Sequence, residues 1–451
     1  MDALPDAPRP RPYAWRSGRA LAHIPGDDGW PIIGRTLSFL ADQEGWGPRM
    51  LAAHGPVFRT STFFERSVTL CDPDLADAVL KDRERIFSSE HGWHNLVSHF
   101  FPRGLMLRDF DVHRLHRGVL QEAFKRPALQ GYLDRMNPRI ASTLDGWADA
   151  RPSPFYPRAK RLTLELAASV FTGVDDPAEL DRFIQAFVDM MNGTFSLLRV
   201  PLPLTAYGRA RRQRRWMADW FLARLRERRA SEGSDLLSHL ARAAGGELSD
   251  ADVVDHMIFL MMAAHDTTTS ALTHLAYELG RTPAWQERLR AAADALGRDT
   301  IGWEALARLD DVDRALKETL RLHPPVVAIP RYALRDTELG GYTIPAGTVV
   351  WLDVRLLHND PKWWSDPRAF DPDRFSDERA EHRRHPAMWL PYSGGAHICL
   401  GMQFSVIQVK ALLVQLLRRY RIELPAGYQR RGQLLPFPKP ADDLPLRLVP
   451  R

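Results

Sequence analysis

Cysteine is nearly absent: Cys71 and Cys399 are the two in 451 residues. Two thiols cannot build a disulfide framework, and so few in a chain of this length fit a reducing compartment, so a cytoplasmic location is expected. No CxxC pair or HxxxH set accompanies either thiol, which excludes a zinc centre with its roughly four N or S ligands. No run of about 18–20 apolar residues stands out, and "MIFLMMAA" at 257–264 is flanked by Asp255, His256 and Asp266, so no membrane span is expected. Residues 1–29, rich in proline and arginine, lack the apolar core of a signal peptide and read as a polar N-terminal extension. Repeats and Gly/Ser linkers are missing too, so 30–451 is expected to form one domain. Neither sign of charge dominates: the net is +5, and no basic run is interleaved with aromatics, so nucleic acid is not an expected partner. Lysine is scarce, 7 against 54 arginines, a balance that suits a GC-rich bacterial genome.

What the chain holds instead is helical periodicity. Amphipathic segments run near 130–150, 159–172, 177–191, 207–229, 249–280, 311–322 and 402–420. Strand-like runs are short, at 56–63, 67–72 and 348–354, and 331–350 reads as hairpins turning at Gly-Gly and Pro-Ala-Gly. The expected fold is mainly α with a smaller β portion, and without a βαβ rhythm a doubly wound sheet is not expected. The longest helix opens at Ser249 with Asp252 three residues on, a capping-box start, and can cross the whole domain. Its centre nevertheless carries Asp266 and three threonines. Polar groups in a core helix need a reason.

Cys399 stands in "PYSGGAHICLG", 391–401, with Gly394, Gly395 and Gly401 close by and a strong helix signal following. Glycines let the backbone pass near a bulky flat group and aim N–H donors at the sulfur, and a helix N-terminus favours a thiolate. A lone thiolate on such a loop suits an axial ligand of heme iron. From these residues alone, a cysteine nucleophile served by a distant histidine and a buried inert thiol stay open.

The loop also resembles the heme-binding loop of the cytochrome P450 family, with Tyr392 for the usual Phe and His397 for the commoner Arg. Three more segments resemble that family's motifs, in its order. "KETLR" contains Glu318 and Arg321, and "DPRAFDPDRF" (366–375) contains Arg374, which the resemblance joins in a Glu-Arg-Arg network pinning the cysteine loop. "AAHDTT" (263–268) resembles the oxygen-activation motif of the central helix. Ala263, Ala264 and Thr267 then share a face over the heme, Thr267 bonding back to the Ala263 carbonyl or opening the helix locally, and Asp266 linking the groove to solvent. Ala264 stands where the family usually has Gly, an added methyl that tightens the groove. His113 and Arg117 of "DFDVHRLHRGVL", with Arg331 and His397, match the family's contacts to the heme propionates. The resemblance extends from residue 30 to the C-terminus.

The resemblance implies the heme-thiolate fold of the soluble bacterial type, heme b as cofactor with Cys399 as its iron ligand, and O2 as co-substrate. The implied reaction is monooxygenation, one oxygen atom entering a substrate C–H or C=C and the other leaving as water, with Asp266 and Thr267 handling protons. Electrons would come from NAD(P)H through a separate ferredoxin and ferredoxin reductase, docked by Lys125, Arg126 and Lys410. Pocket candidates are 91–106, 188–204, Leu260, Ala263, Ala264, Val326, Val327 and Ile329. They are mostly apolar, which points to a terpenoid, steroid or fatty-acid-like substrate. The run "GMQFSVIQVK" (401–410) resembles sterol- and retinoid-type relatives more than the camphor type. The rivals are a heme-thiolate peroxygenase or isomerase that does not use O2, and a non-catalytic heme-binding protein; the acid–threonine pair argues against both. "RARRQRR" (209–215) reads as a solvated helix start rather than a lipid contact. Cys71 reads as a core filler, His265 carries no assigned role, and a monomer is expected.

Overall fold

The computed structural model describes residues 20–451 apart from 195, 197, 198, 231, 232, 244, 245 and 298–300. Residues 1–19 of the expected extension, and three positions of 188–204, therefore lie outside the described residues. Helices make up most of the chain, with a six-stranded sheet ordered Gly26–Asp27, Val57–Thr62, Glu65–Leu70, Val349–Asp353, Ala328–Ala333, Phe87–Ser88. Val57 pairs antiparallel with Leu70, Ser67 parallel with Val349, and Ile329 antiparallel with Leu352. Period-two alternation turns Val68, Leu70, Ile329, Val350 and Leu352 into a small apolar core separate from that of the helices. The Thr337–Leu339 and Tyr342–Ile344 hairpin turns on Gly340 and Gly341, both at positive φ (59° and 81°), the conformation a two-residue hairpin loop favours.

The central helix runs Asp250–Arg281, 32 residues, and is buried along nearly its whole length. Its capping box is closed: Ser249 Oγ accepts from the Asp252 N–H, and Asp252 Oδ2 accepts from the Ser249 N–H, both at 3.2 Å. Helices Phe155–Thr172, Ala206–Arg228 and Asp310–Leu322 pack along it. The helix expected over 130–150 lies at Arg126–Leu144, where Pro127 fits the first turn. By length and composition Gly395–Arg419 is apolar enough to cross a bilayer, which the sequence reading passed over. In the fold 67% of its apolar window is buried, and its helical part, Met402–Arg419, packs on Arg126–Leu144 and Pro283–Asp294. Hydropathy there matches a core helix that is apolar nearly all round.

Candidate active site

Below the cavity, the cysteine loop is braced by charges. Arg321 Nε and Nη2 donate to Glu318 Oε2 (2.7 Å) and Oε1 (2.8 Å), and Arg374 Nε donates to Glu318 Oε1 (3.0 Å). None of the three side chains has exposed surface. Desolvation at this depth costs several kcal/mol per ion unless every donor is met, and here every donor is. Arg321 makes its remaining bonds to the carbonyls of His358, Pro367 and Ala369. Arg374 completes its set with Ser365 O, Asp366 O, Ala369 O and Glu381 Oε2. Glu381 is a member that sequence reasoning missed, because it sits in no motif.

His358, also missed, carries the brace to the loop. Its Nε2 accepts from the Leu390 N–H at 2.7 Å, which leaves the proton on Nδ1 to donate to Arg321 O at 3.2 Å. That role needs a neutral ring, and burial with Arg321 beside it holds the imidazole down to about 3. Leu390 leads straight into the loop, where the Cys399 N–H donates to Tyr392 O at 2.8 Å. Gly395 has φ +63°, and a Cβ there would stand 1.9 Å from Leu80 O, so the loop's close approach requires glycine.

The Cys399 side chain faces a cavity of about 1230 Å³ that lies between its loop and the central helix and opens to the surface. Burial pushes the thiol up, against the Gly401 N–H and the Arg117 charge, which lower it. A cation ligated by the sulfur would favour the thiolate. The cavity exceeds the roughly 300–1,000 Å³ of an ordinary small-molecule site, leaving room for a large planar group and a substrate together.

His113, Arg117, Arg331 and His397 come together in the wall of this cavity. The two imidazole rings lie with centroids 3.9 Å apart, tilted by 32°, and His113 Nε2 is buried without a partner among the described residues. Arg117 Nη1 donates to Ile398 O (2.7 Å) and buried Arg331 Nη1 to Pro330 O (2.8 Å). Burial, with the arginines adding to it, holds His113 down to about 4 and His397 to about 2; burial also lowers Arg331 to about 10. Asp109 is the nearby acid, 3.9 Å from His397 Nε2, but it already accepts from Ser88 Oγ and the Ser89 N–H. A cradle so rich in donors fits the doubly anionic edge of a heme.

Above the cavity, Leu260, Ala263, Ala264 and Thr267 line the central helix's open face, opposite Val326, Val327 and Ile329. Thr267 Oγ1 donates to Ala263 O at 2.8 Å and the helix stays continuous, so of the two expected arrangements the back-bonded one is present. Asp266 does not itself reach solvent. Its carboxylate is buried and pairs with Lys160 Nζ at 2.8 Å, and it is Lys160, 35% exposed, that meets water. Burial alone would raise Asp266, but His265, whose Nδ1 lies 3.4 Å from Oδ2, and Lys160 together hold it at about 2. Lys160 lies on the Phe155–Thr172 helix, about a hundred residues from the motif it serves, and no local pattern marks it.

Segments 91–106 and 188–204 contribute wall residues including Trp93, Met106 and Ser196. The strands after Val57 and the C-terminal stretch 434–438, with Phe437, also line the cavity and were not foreseen. One docking cation is corrected: Lys410 is buried, its Nζ bonded to Leu306 O (2.7 Å) and Asp313 Oδ2 (2.8 Å), because the snorkelling ammonium finds both partners inside. Lys125 and Arg126 are exposed but paired with Glu122 and Glu304.

Comparison with known proteins agrees with this geometry along the chain. The Cytochrome P450 family model matches residues 24–437. Cytochrome P450 136 of Mycobacterium tuberculosis is 39% identical over 445 residues, 96% of this chain and 90% of that one. Beta-amyrin 28-monooxygenase of Solanum lycopersicum is 26% identical over 97% of this chain and 94% of its own length. The structure of retinoic acid bound cyanobacterial CYP120A1 superposes with a TM-score of 0.86 at 28% identity, over 95% of this chain and 99% of that one. The chain belongs to the cytochrome P450 family, as a monooxygenase that uses heme and O2 with reducing equivalents from NAD(P)H.

Proposed function

We propose that this P450 oxidises a large hydrophobic isoprenoid, with Cys399 ligating heme b and His113, Arg117, Arg331 and His397 holding its propionates. The observation that carries the reading is one continuous cavity whose wall runs from Cys399 past Thr267 to the apolar residues of Val326–Ile329. Heme, when bound, supplies the activation of O2. The chain's own residues bind and orient substrate on an apolar wall, exclude water, and manage protons. Thr267 holds a proton or an ordered water at the cavity face of the helix, and Asp266 with Lys160 replenishes it from solvent. A peroxide-using enzyme would need no such relay.

Relatives support the substrate class: one is named for β-amyrin, another was solved with retinoic acid, and both molecules are isoprenoids. Electrons arrive from a ferredoxin-type partner on the cysteine face, where Val112, Leu115 and Ile398 are exposed apolar residues beside exposed Arg114. Adding retinoids, triterpenes, sterols and fatty acids to the holoprotein in the cytoplasmic pH range, while recording the heme spin-state spectrum, tests this. An isoprenoid should shift the spectrum at the lowest concentration. A fatty acid that outcompetes every isoprenoid would overturn the substrate class.

A further inference from the structure

We infer that the sheet end of the cavity anchors an alcohol group, so that the isoprenoid proposed above, on which this rests, carries a hydroxyl at the end remote from Cys399. Strand register sets the face. Glu65, Ser67 and Thr69 alternate along one strand; Thr60 pairs with Ser67 across one edge, and Val349 and Trp351 pair with Ser67 and Thr69 across the other. Residues directly opposite share a face, so all of these stand together. The reverse face, with Val68, Leu70, Val350 and Leu352, packs into the apolar core of the sheet. On the near face Thr60, Glu65, Ser67, Thr69 and Trp351 line the cavity. A carboxyl and three hydroxyls thus meet a space whose other walls are mostly apolar. The strand of Thr60 lies three strand spacings, about 14 Å, from Ala328–Ala333, beside which Val326 and Val327 face the central helix. A retinoid, sterol or triterpene skeleton spans that interval.

Hydrogen-bonding capacity selects the ligand. Thr60 is 3% exposed, and its Oγ1 is buried without a partner among the described residues. A buried hydroxyl left unpaired is costly, and a hydroxyl brought by the substrate satisfies it. Glu65 Oε2 accepts from Asn95 Nδ2 at 3.2 Å, and the carboxyl also accepts from Trp351, yet burial pushes it up from the ordinary carboxylate range. An alcohol suits that group in either protonation state, donating to a carboxylate and accepting from a carboxylic acid. A carboxylate ligand does not suit it. The arginines at this end of the wall are engaged, Arg66 with Asp28 (3.9 Å), Arg199 with Asn95 O (2.9 Å) and Arg355 with Glu44 O (2.6 Å). An acid would therefore meet Glu65 with its counter-charges already committed, whereas an uncharged hydroxyl needs none.

The test titrates the holoprotein with retinol, β-amyrin and cholesterol, each beside the hydrocarbon in which hydrogen replaces its hydroxyl, and records the heme spin-state shift. The alcohols that bind should half-saturate the shift at a concentration about tenfold below their hydrocarbons, and retinol should do so below retinoic acid. Thr60→Val and, separately, Glu65→Leu should bring each alcohol to within about twofold of its hydrocarbon, with the carbon-monoxide spectrum of each variant unchanged. The two substitutions sit on different strands, so one remains decisive should the other fail to fold. Turnover should leave the hydroxyl intact and oxidise the opposite end. Hydrocarbons that bind as tightly as their alcohols overturn the inference and leave the isoprenoid reading standing. Retinoic acid binding more tightly than retinol, or oxidation at the carbon bearing the hydroxyl, does the same. An alcohol preference that survives both substitutions places the hydroxyl elsewhere and overturns it equally. If a fatty acid outcompetes every isoprenoid, or no isoprenoid shifts the spectrum, the substrate class itself falls and the inference with it.

Discussion

Beneath the cavity, two buried arginines direct all five of their N–H donors each to Glu318, Glu381 and backbone carbonyls; above it, the central helix leaves buried Thr268 Oγ1, Thr273 Oγ1 and His265 Nε2 without partners among the described residues. The two arginines have no spare donor, so the segments they bind behind the Cys399 loop are held in one position. On the upper face Thr268 keeps that polar capacity in reserve next to open space. A ligand needs a fixed sulfur, whereas dioxygen, water and protons need places to come and go. Saturation and reserve are thus divided between two faces of one cavity.

Breaking the lower face at its centre should have the largest effect. Cys399→Ser should abolish the strongly red-shifted carbon-monoxide band of thiolate ligation, and product formation with it; a normal band would remove Cys399 as the ligand. Next, Glu318→Gln leaves two buried guanidinium groups short of charge and should cost about 3–5 kcal/mol, read as a lowered urea midpoint of the holoprotein. A midpoint within experimental scatter of the native one would mean the brace carries no load.

Changes on the upper face should spare folding and alter chemistry. Thr267→Ala removes the hydroxyl that bonds Ala263 O, and product per reductant consumed should fall several-fold while hydrogen peroxide rises. Full coupling in that variant would return the peroxide-using reading. The smallest and most diagnostic change is Lys160→Met. Asp266 is held at about 2, so it stays ionised through the acid range; its contribution is present above the unfolded carboxyl value and lost only as pH falls toward 2. Without Lys160 the burial of Asp266 is less opposed, its carboxyl rises, and coupling should begin to fail at a higher pH than in the native enzyme, with little change at neutral pH. Superimposable pH profiles would detach Lys160 from the relay.

Much of this was legible before the fold was known. The central helix appears within a residue of its expected bounds because its capping box and apolar run are local signals. Glu318, Arg321 and Arg374 stand in recognisable motifs, and the structure brings them into contact. Glu381, His358 and Lys160 were not legible, since each acts across a gap in sequence through a single bond that no periodicity encodes. Lys410 misled for the converse reason: a lysine on an apolar helix looks exposed until the partners that bury its ammonium are known.

Adjacent residues and helical spacing alone specify the family, the mostly helical class, the cysteine loop and the polar island of the central helix. Packing between distant segments is what links Asp266 to water through Lys160, buries Lys410 between Leu306 and Asp313, and joins Glu381 and His358 to the brace behind the cysteine loop. Burial, counter-charge and the joining of distant segments depend on what packs against a residue, and that is set by the folded chain as a whole.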